Sequence, residues 1–207
     1  GLNDHFSFDL GDFCRKFDET PKIEIEKFKK NFQNKKIKIG FLSSDFKSHS
    51  VAFFLEDFVL KINKEDFELN ALSNLDHSEH DDMTLKLKSS FDNWFDVKSL
   101  SDEKLVKFSR SLKLDILIDL SGYTYNNRIN ALRSRCAPIQ ISWLGYCNTL
   151  GIKNMDFIIA DPNLIKKNEE NLYTEKVLYM PNIWNCLSKP RNLPDIKPQL
   201  NIKNNNI

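Results

Sequence analysis

Short apolar runs alternate with amphipathic stretches from Lys36 onward, and this alternation is typical of a parallel sheet covered by helices. The run DILIDL is apolar on both faces, as a central parallel strand should be. The predicted strands are KIKIGFL, FELNALS, NWFDV, DILIDL, QISWLG, FIIAD and KVLYM. The pattern therefore predicts an α/β fold with a predominantly parallel sheet and helices on both faces.

The stretches between these strands supply the predicted helices. One helix begins near Ser50 and others cover residues 82–91 and 127–134, while Ser101 can cap a further helix by accepting from its first-turn amides. The buried stripe of the first helix is predicted from its spacing to be Val51, Phe54, Leu55, Phe58 and Val59.

Composition divides the chain into three parts. Residues 1–35 are expected to form a helical lead-in and residues 36–187 the α/β lobe. Residues 188–207 change to Pro, Asn and Lys, which is typical of an extended linker.

Charge and hydropathy narrow the kinds of partner. Lys plus Arg (30) and Asp plus Glu (29) leave a formal charge of +1, so no net field attracts nucleic acid or anionic lipid. The apolar runs are shorter than the roughly 20 residues of a membrane helix. The chain begins without a basic and apolar leader, which favours the cytoplasm. Its scattered cysteines predict free thiols, with neither disulfides nor zinc.

Three polar loops follow predicted strands and are candidates for a ligand site. Ligands of open parallel sheets bind beyond the carboxyl ends of the strands, so these loops should share one edge. They are SSDFKSHS (43–50), SGYTYNNR (121–128) and LGYCNTLG (144–151).

His49 lies just before the first turn of a predicted helix, where exposed amides disfavour a protonated ring. A neutral imidazole there could accept a proton or hydrogen-bond a sugar hydroxyl or an amide. Asp45, on the same loop, is close enough in sequence to orient it. The alternative is that His49 only caps its helix and Asp45 only closes a turn.

Other patterns carry less chemistry. Gly145 could let a ligand approach the backbone closely, and Trp143 and Tyr146 beside it could pack beneath a sugar or complete the core. The segment DHSEHDD has the His-x-x-His spacing of a metal site, but a charged loop without helical periodicity is interpreted as solvated rather than metal-binding. No GxGxxG or Walker-type phosphate loop is present.

With these loops identified, the chain resembles the O-GlcNAc transferase family, and its bacterial members in particular. The blocks that carry the resemblance cover about residues 36–181 in the family's order, and LDILIDLSGYT together with WLGY is the most specific combination. The blocks are IGFLSSDFKSHSVA, FDVKSLSDEKL, LDILIDLSGYT, APIQISWLGYCNTLG, MDFIIAD and YTEKVLYMP.

The resemblance implies a GT-B architecture of two Rossmann-like lobes, of which this chain looks like the first. Asp45 and His49 match a family Asp and His implicated in the proton path and in contacts to sugar and acceptor. Leu144 and Gly145 match positions that line the GlcNAc pocket, while Tyr123 and Arg128 fall near the site. Tyr125 stands where animal members have Lys, so a contact from that position is not carried over.

The activity that the resemblance implies is inverting transfer of GlcNAc, or a related hexose, from a UDP-sugar to a protein or peptide Ser or Thr. It implies no cofactor and no metal. We expect no transfer by this lobe alone, because a second lobe would stabilise the departing diphosphate. One relative glucosylates Asn, so donor and acceptor atom stay open. The alternative is a non-catalytic sugar- or protein-binding module derived from the lobe.

Overall fold

The computed structural model describes residues 36–188. The predicted lead-in over residues 1–35 and the predicted linker beyond Ser188 lie outside the described residues. None of the described helices is both long and apolar enough to cross a bilayer.

One sheet organises the described part of the chain. Its strands are all parallel and lie in the order β3-β2-β1-β4-β5-β6-β7. The strands are β1 Ile37–Ser43, β2 Phe67–Ser73, β3 Asn93–Asp96, β4 Ile116–Asp119, β5 Ile139–Ser142, β6 Phe157–Ala160 and β7 Lys176–Tyr179. Each predicted strand is present, and the predicted parallel α/β fold is confirmed as Rossmann-like.

The helices also follow the sequence pattern. They are α1 Ser50–Lys61, α2 Asp82–Ser90, α3 Asp102–Ser111 and α4 Ile129–Arg133, with 3₁₀ segments at His77–Glu79 and Lys167–Leu172. The predicted cap of α3 is confirmed, because the Ser101 hydroxyl accepts from the Lys104 amide at 3.3 Å. Such a cap typically stabilises a helix by about 1 kcal/mol.

Two predicted boundaries are wrong for the same reason. The strand QISWLG ends at Ser142, since Leu144 has a φ of +79° that an extended strand cannot continue. The helix predicted over residues 127–134 begins only at Ile129, because Asn126 has a φ of +57° and Arg128 is not helical. In both places a loop conformation interrupts a regular sequence pattern.

Apolar side chains fill both faces of the sheet. Successive residues of a strand point to opposite faces, and accordingly Phe41 packs with α1 and α2 while Leu42 packs with α3 and α4. The predicted α1 stripe is buried through Val51, Leu55 and Val59, with two phenylalanines partly covered. Helices therefore lie on both faces, as predicted.

The strand order reverses direction between β1 and β4. The chain winds outward from β1 to β2 and β3, then returns to β4 on the other side of β1. Open α/β sheets bind ligands in the crevice at such a switch point, beyond the carboxyl ends of the strands. The side of the sheet formed by the carboxyl ends of its strands, here those of β1, β4 and β5, is called the carboxyl edge below. The side formed by the amino ends of the strands is called the amino edge.

After β7 the chain crosses back over the sheet to α1. The Trp143 indole donates to the Trp184 carbonyl at 2.8 Å, and the Trp184 amide donates to Asp161 at 3.0 Å. Further on, the Ser188 amide donates to the Phe53 carbonyl at 3.1 Å. Residues 181–188 are thus bonded to the lobe, in agreement with the predicted extent of the lobe to residue 187.

Candidate active site

The three candidate loops meet at the carboxyl edge, as their positions after parallel strands require. The Ser44 hydroxyl donates to the Tyr125 carbonyl at 3.2 Å, which joins the first loop to the second. The Tyr123 hydroxyl donates to the Leu150 carbonyl at 2.8 Å, which joins the second loop to the third. A single continuous surface therefore carries the residues that the sequence selected.

His49 is the N-cap of α1 and is exposed to solvent. Its Nδ1 accepts a hydrogen bond from the Val51 amide at 3.3 Å. Because Nδ1 is the acceptor in this bond, the N–H of the imidazole lies on Nε2. In this tautomer His49 offers a hydrogen-bond donor at the carboxyl edge, and it would have to release its cap to accept a proton at Nε2.

Asp45 lies in the same loop but does not make the contact predicted for it. Within residues 36–188 the only bond of the His49 ring is the helix cap, so α1 rather than Asp45 orients the imidazole. The backbone of Asp45 is fixed instead, since its amide donates to the Ser43 hydroxyl at 2.9 Å. Its carboxylate adds to the negative surroundings that raise the pKa of Lys47, an effect due first to the Glu79 hydrogen bond.

The second loop begins at a buried carboxyl group. Asp119, the last residue of β4, is 1% exposed, and its side chain accepts from the Gly122 amide at 2.7 Å. Burial raises its pKa to about 7, and the backbone bonds from Gly122 and Ser121 offset only part of that rise. Asp119 therefore shapes the turn from beneath the candidate site rather than facing a ligand.

Close packing joins the second and third loops. Gly122 has a φ of +55°, and a Cβ on it would clash with the Tyr146 side chain. The rings of Tyr123 and Tyr146 meet edge to face with centroids 5.7 Å apart. Tyr123 thus contributes its ring and hydroxyl to holding the loops together.

Arg128 ends the second loop and bonds to the protein itself. Its guanidinium donates to Asp102 at 2.6 Å and to Asn74 at 2.9 Å. Two further bonds reach the Val97 and Leu100 carbonyls at 3.3 and 2.7 Å. The side chain is only 10% exposed. The structure therefore gives Arg128 a positioning role, and contact with a substrate stays a prediction.

Leu144 and Gly145 form a tight turn directly after β5. The Gly145 amide donates to the Trp143 carbonyl at 3.1 Å across Leu144, whose φ is +79°. These features are those of the classic γ-turn, which is rare and strained. Backbone strain of this kind clusters at functional sites.

Gly145 has a reason to be glycine that the sequence pattern did not show. A Cβ at this position would clash with the Leu120 carbonyl oxygen and lie 3.4 Å from a Val51 methyl. The Leu120 carbonyl directly after β4 by itself leaves no room for a side chain at position 145, and the approach of a ligand to this backbone stays a prediction.

Sequence reasoning missed the residues that support these loops. Glu175 is 3% exposed and accepts from the Thr149 hydroxyl at 2.6 Å and the Leu150 amide at 2.7 Å. Asn74 donates to the Asn126 carbonyl at 2.7 Å as well as accepting from Arg128. Both precede or follow strands, but the loop groups named here lie at least 25 residues away from them in sequence, so no local pattern identifies these bonds.

Comparison with known proteins places this arrangement among sugar transferases. The sequence matches the description Glycosyl transferase family 41 over residues 17–206. A structure described as an O-GlcNAc transferase mutant of Thermobaculum terrenum is similar with a TM-score of 0.76 and 31% identity, covering 79% of this chain and 31% of that one.

Curated relatives show the same similarity. A probable UDP-N-acetylglucosamine–peptide N-acetylglucosaminyltransferase SPINDLY of Oryza sativa subsp. japonica is 29% identical over 154 residues, which is 72% of this chain and 16% of that protein. The UDP-N-acetylglucosamine–peptide N-acetylglucosaminyltransferase of Caenorhabditis elegans is 30% identical over 168 residues, 80% of this chain and 14% of that protein. The chain thus spans a small part of these relatives' length.

Proposed function

The chain belongs to glycosyl transferase family 41, and from that premise we propose that it serves as the first lobe of a protein that transfers GlcNAc from a UDP-sugar to a Ser or Thr hydroxyl of a protein or peptide. The relatives named above support the donor and the acceptor class. The observation that carries the proposal is the convergence of the three loops at the switch point, with His49 exposed among them.

Within this proposal His49 acts as a hydrogen-bond donor to substrate. Its capped Nδ1 leaves the Nε2 proton available for a sugar or acceptor oxygen. The acceptor hydroxyl's proton then leaves by another group, Asp45 or an oxygen of the donor diphosphate. Leu144 and Gly145 form the wall of the sugar pocket, and their γ-turn holds that wall in one conformation.

The site requires no cofactor under this proposal, and the UDP-sugar is a substrate. Transfer proceeds with inversion, and the groups that hold the departing diphosphate come from a second lobe. We also propose that the protein works in the cytoplasm and uses neither nucleic acid nor a membrane as partner, which its near-neutral charge supports.

Two substitutions at position 49 separate catalysis from capping. His49→Asn retains a good N-cap residue but removes the imidazole, whereas His49→Ala removes both. We expect kcat/KM to fall on the order of 10²-fold in both variants, because a positioned catalytic group typically contributes that much. Only His49→Ala should also lose thermal stability, by about 1 kcal/mol.

The assay uses the protein in which this chain occurs, with UDP-GlcNAc and an acceptor peptide, and urea unfolding alongside. Near-normal transfer by His49→Asn would mean that the imidazole is only a helix cap. Asp45→Asn is tested in parallel and should lower the rate without changing stability. Tight UDP-sugar binding with no turnover in the unsubstituted protein would favour the binding-module alternative.

A further inference from the structure

Three side chains that commonly bind metal ions converge beyond the carboxyl ends of β2 and β3. They are His77, His80 and Asp96, whose nearest ligand atoms lie within 4.8 Å of one another. His77 Nε2 is 3.8 Å from Asp96 Oδ2, and the two imidazole centroids are 4.8 Å apart. This cluster is separate from His49 and from the loops of the candidate active site.

The local backbone explains why the two histidines meet. His77 starts a 3₁₀ segment and His80 ends it, with the His80 amide donating to the His77 carbonyl at 3.3 Å. Side chains three residues apart eclipse in a 3₁₀ turn, so the imidazoles fall on one side. The segment is largely exposed, as a solvated loop should be, but a 3₁₀ turn gives it a regular backbone that its sequence did not predict.

Side-chain caps hold the start of the turn and the start of α2, which follows it directly. Asp76 accepts from the Ser78 amide at 2.9 Å, and Asp81 accepts from the Thr84 amide at 2.9 Å while Thr84 accepts in return from the Asp81 amide at 3.1 Å. The histidines are thus presented by a rigid segment.

The third side chain is oriented by a donor of its own. Asp96 Oδ1 accepts from the Trp94 indole at 3.0 Å, which leaves Oδ2 directed toward His77. Outer hydrogen bonds of this kind hold the ligands of metal sites in place. On the other side, His80 Nε2 is buried and has no hydrogen-bond partner among the described residues. A buried polar atom without a partner is costly and calls for an explanation.

We propose that His77, His80 and Asp96 bind a divalent transition-metal ion, with Zn²⁺ as the best fit. Imidazole nitrogen with one carboxylate suits Zn²⁺, whereas Mg²⁺ and Ca²⁺ prefer oxygen ligands alone. Three protein ligands leave a coordination position for water. Two ligands of a tetrahedral zinc ion lie about 3.3 Å apart, so the cluster must contract, and the 72% exposed His77 side chain is free to rotate inward.

The turn that holds the proposed metal ligands is hydrogen-bonded to the first loop of the candidate active site. Glu79, inside the same turn, pairs with Lys47, and Asp81 accepts from the Ser48 amide at 2.7 Å. The segment that holds Asp45 and His49 is therefore bonded to the turn that holds the metal ligands. Metal binding should slow hydrogen exchange of the Ser48 amide, because it restricts opening of that turn.

Zinc titration of chelator-treated protein tests the proposal. By calorimetry we expect one binding event and a rise in melting temperature at saturating Zn²⁺, since a ligand of the folded state stabilises it. Affinity should fall at least about tenfold in His77→Ala, His80→Ala and Asp96→Asn, as expected when one of three ligands is removed. Co²⁺ in place of Zn²⁺ should give the visible absorption of a low-coordinate site, and Mg²⁺ should leave the melting temperature unchanged.

Glu79→Gln is the matched control, because it removes an acidic group from the same turn that faces Lys47 and not the cluster. It should keep zinc affinity within about twofold, where a ligand variant loses far more. His77 is exposed, so its alanine variant should fold even if His80→Ala does not. Unchanged zinc binding in the double variant His77→Ala and His80→Ala would overturn the proposal and leave the cluster as a polar contact between His77 and Asp96.

Discussion

Both edges of the sheet hold residues with left-handed backbone, but for different reasons. At the amino edge, Lys113 and Arg135 have φ values of +53° and +56° and stop α3 and α4, with their amides bonded to the Arg110 and Leu132 carbonyls at 3.1 and 3.0 Å. Helices commonly end in this way. At the carboxyl edge, Asn126 and Leu144 end no helix.

The comparison shows how to interpret an unusual backbone angle. A left-handed residue that terminates a helix is accounted for by the fold. Leu144 has no such account, since it is a buried branched residue in a γ-turn whose geometry brings Gly145 against Leu120. The difference supports assigning ligand binding to the carboxyl edge.

The largest effect is expected from Gly145→Ala. The new methyl would collide with a backbone carbonyl, which cannot move without displacing the end of β4, so we expect a loss of about 3 kcal/mol or more in unfolding free energy. Urea denaturation measures it. Gly40→Ala is the matched control: its methyl would meet the side-chain tips of Leu72, Leu114 and Leu117 rather than a backbone atom, and side-chain tips can shift. If both variants lost the same unfolding free energy, the contact between Gly145 and the Leu120 carbonyl would not be the cause of the loss.

A smaller effect on stability is expected from Asp119, at the carboxyl end of β4. The folded-state pKa of Asp119 is raised from 3.8 to about 7, so the folded chain binds more protons than the unfolded chain between these values. Its contribution to stability is therefore greatest below about pH 4 and declines as pH rises to about 7. Asp119→Asn should flatten this decline and stabilise the chain at about pH 8 by on the order of 2 kcal/mol.

The test measures unfolding midpoints of Asp119→Asn at several pH values. The control is a substitution of Asp115, just before the amino end of β4. Asp115 accepts from the Lys38 amide at 2.9 Å at the amino edge. Asp115→Asn should leave the decline due to Asp119 in place. A flat profile in the unsubstituted protein would mean that the bonds from Ser121 and Gly122 keep Asp119 ionised.

Glycine at two left-handed positions should change stability in opposite directions, and Lys113→Gly should give the smallest effect of all. Lys113→Gly should stabilise the chain by about 0.5 kcal/mol, because glycine adopts the helix-stop conformation without steric cost. Leu144→Gly should destabilise it by roughly 2 kcal/mol, since the loss of a buried leucine outweighs the relief of strain. Calorimetric melting of both variants tests this comparison. A lower melting temperature for Lys113→Gly and a higher one for Leu144→Gly would contradict it.

The sequence predicted the regular elements because their signals are local. Ser101 caps α3 through its own next residues, and the stripe containing Val51 and Leu55 follows from helical spacing alone. The three loops could be assigned to one edge because a parallel sheet leaves no other arrangement. The fold and the location of the candidate site therefore followed from pattern.

The contacts inside the site could not be predicted, because they join distant segments. Arg128 looked like a loop residue near a ligand, yet it bonds Asn74, 54 residues earlier. The role of Gly145 depends on the Leu120 carbonyl, and the histidine cluster depends on Asp96 at the end of a different strand. Spacing reveals neither the partner nor the direction of such side chains.

The crossing of residues 181–188 gives α1 a mechanical connection to the rest of the polypeptide. The Ser188 amide donates to the Phe53 carbonyl, and the Ser188 hydroxyl accepts from the Asp57 amide at 3.2 Å. Ser188 is therefore hydrogen-bonded to two backbone groups of α1 that lie about one helical turn apart. Residues 181–188 are therefore held against the backbone of α1. Since His49 caps the first turn of the same helix, α1 connects this segment to the candidate active site.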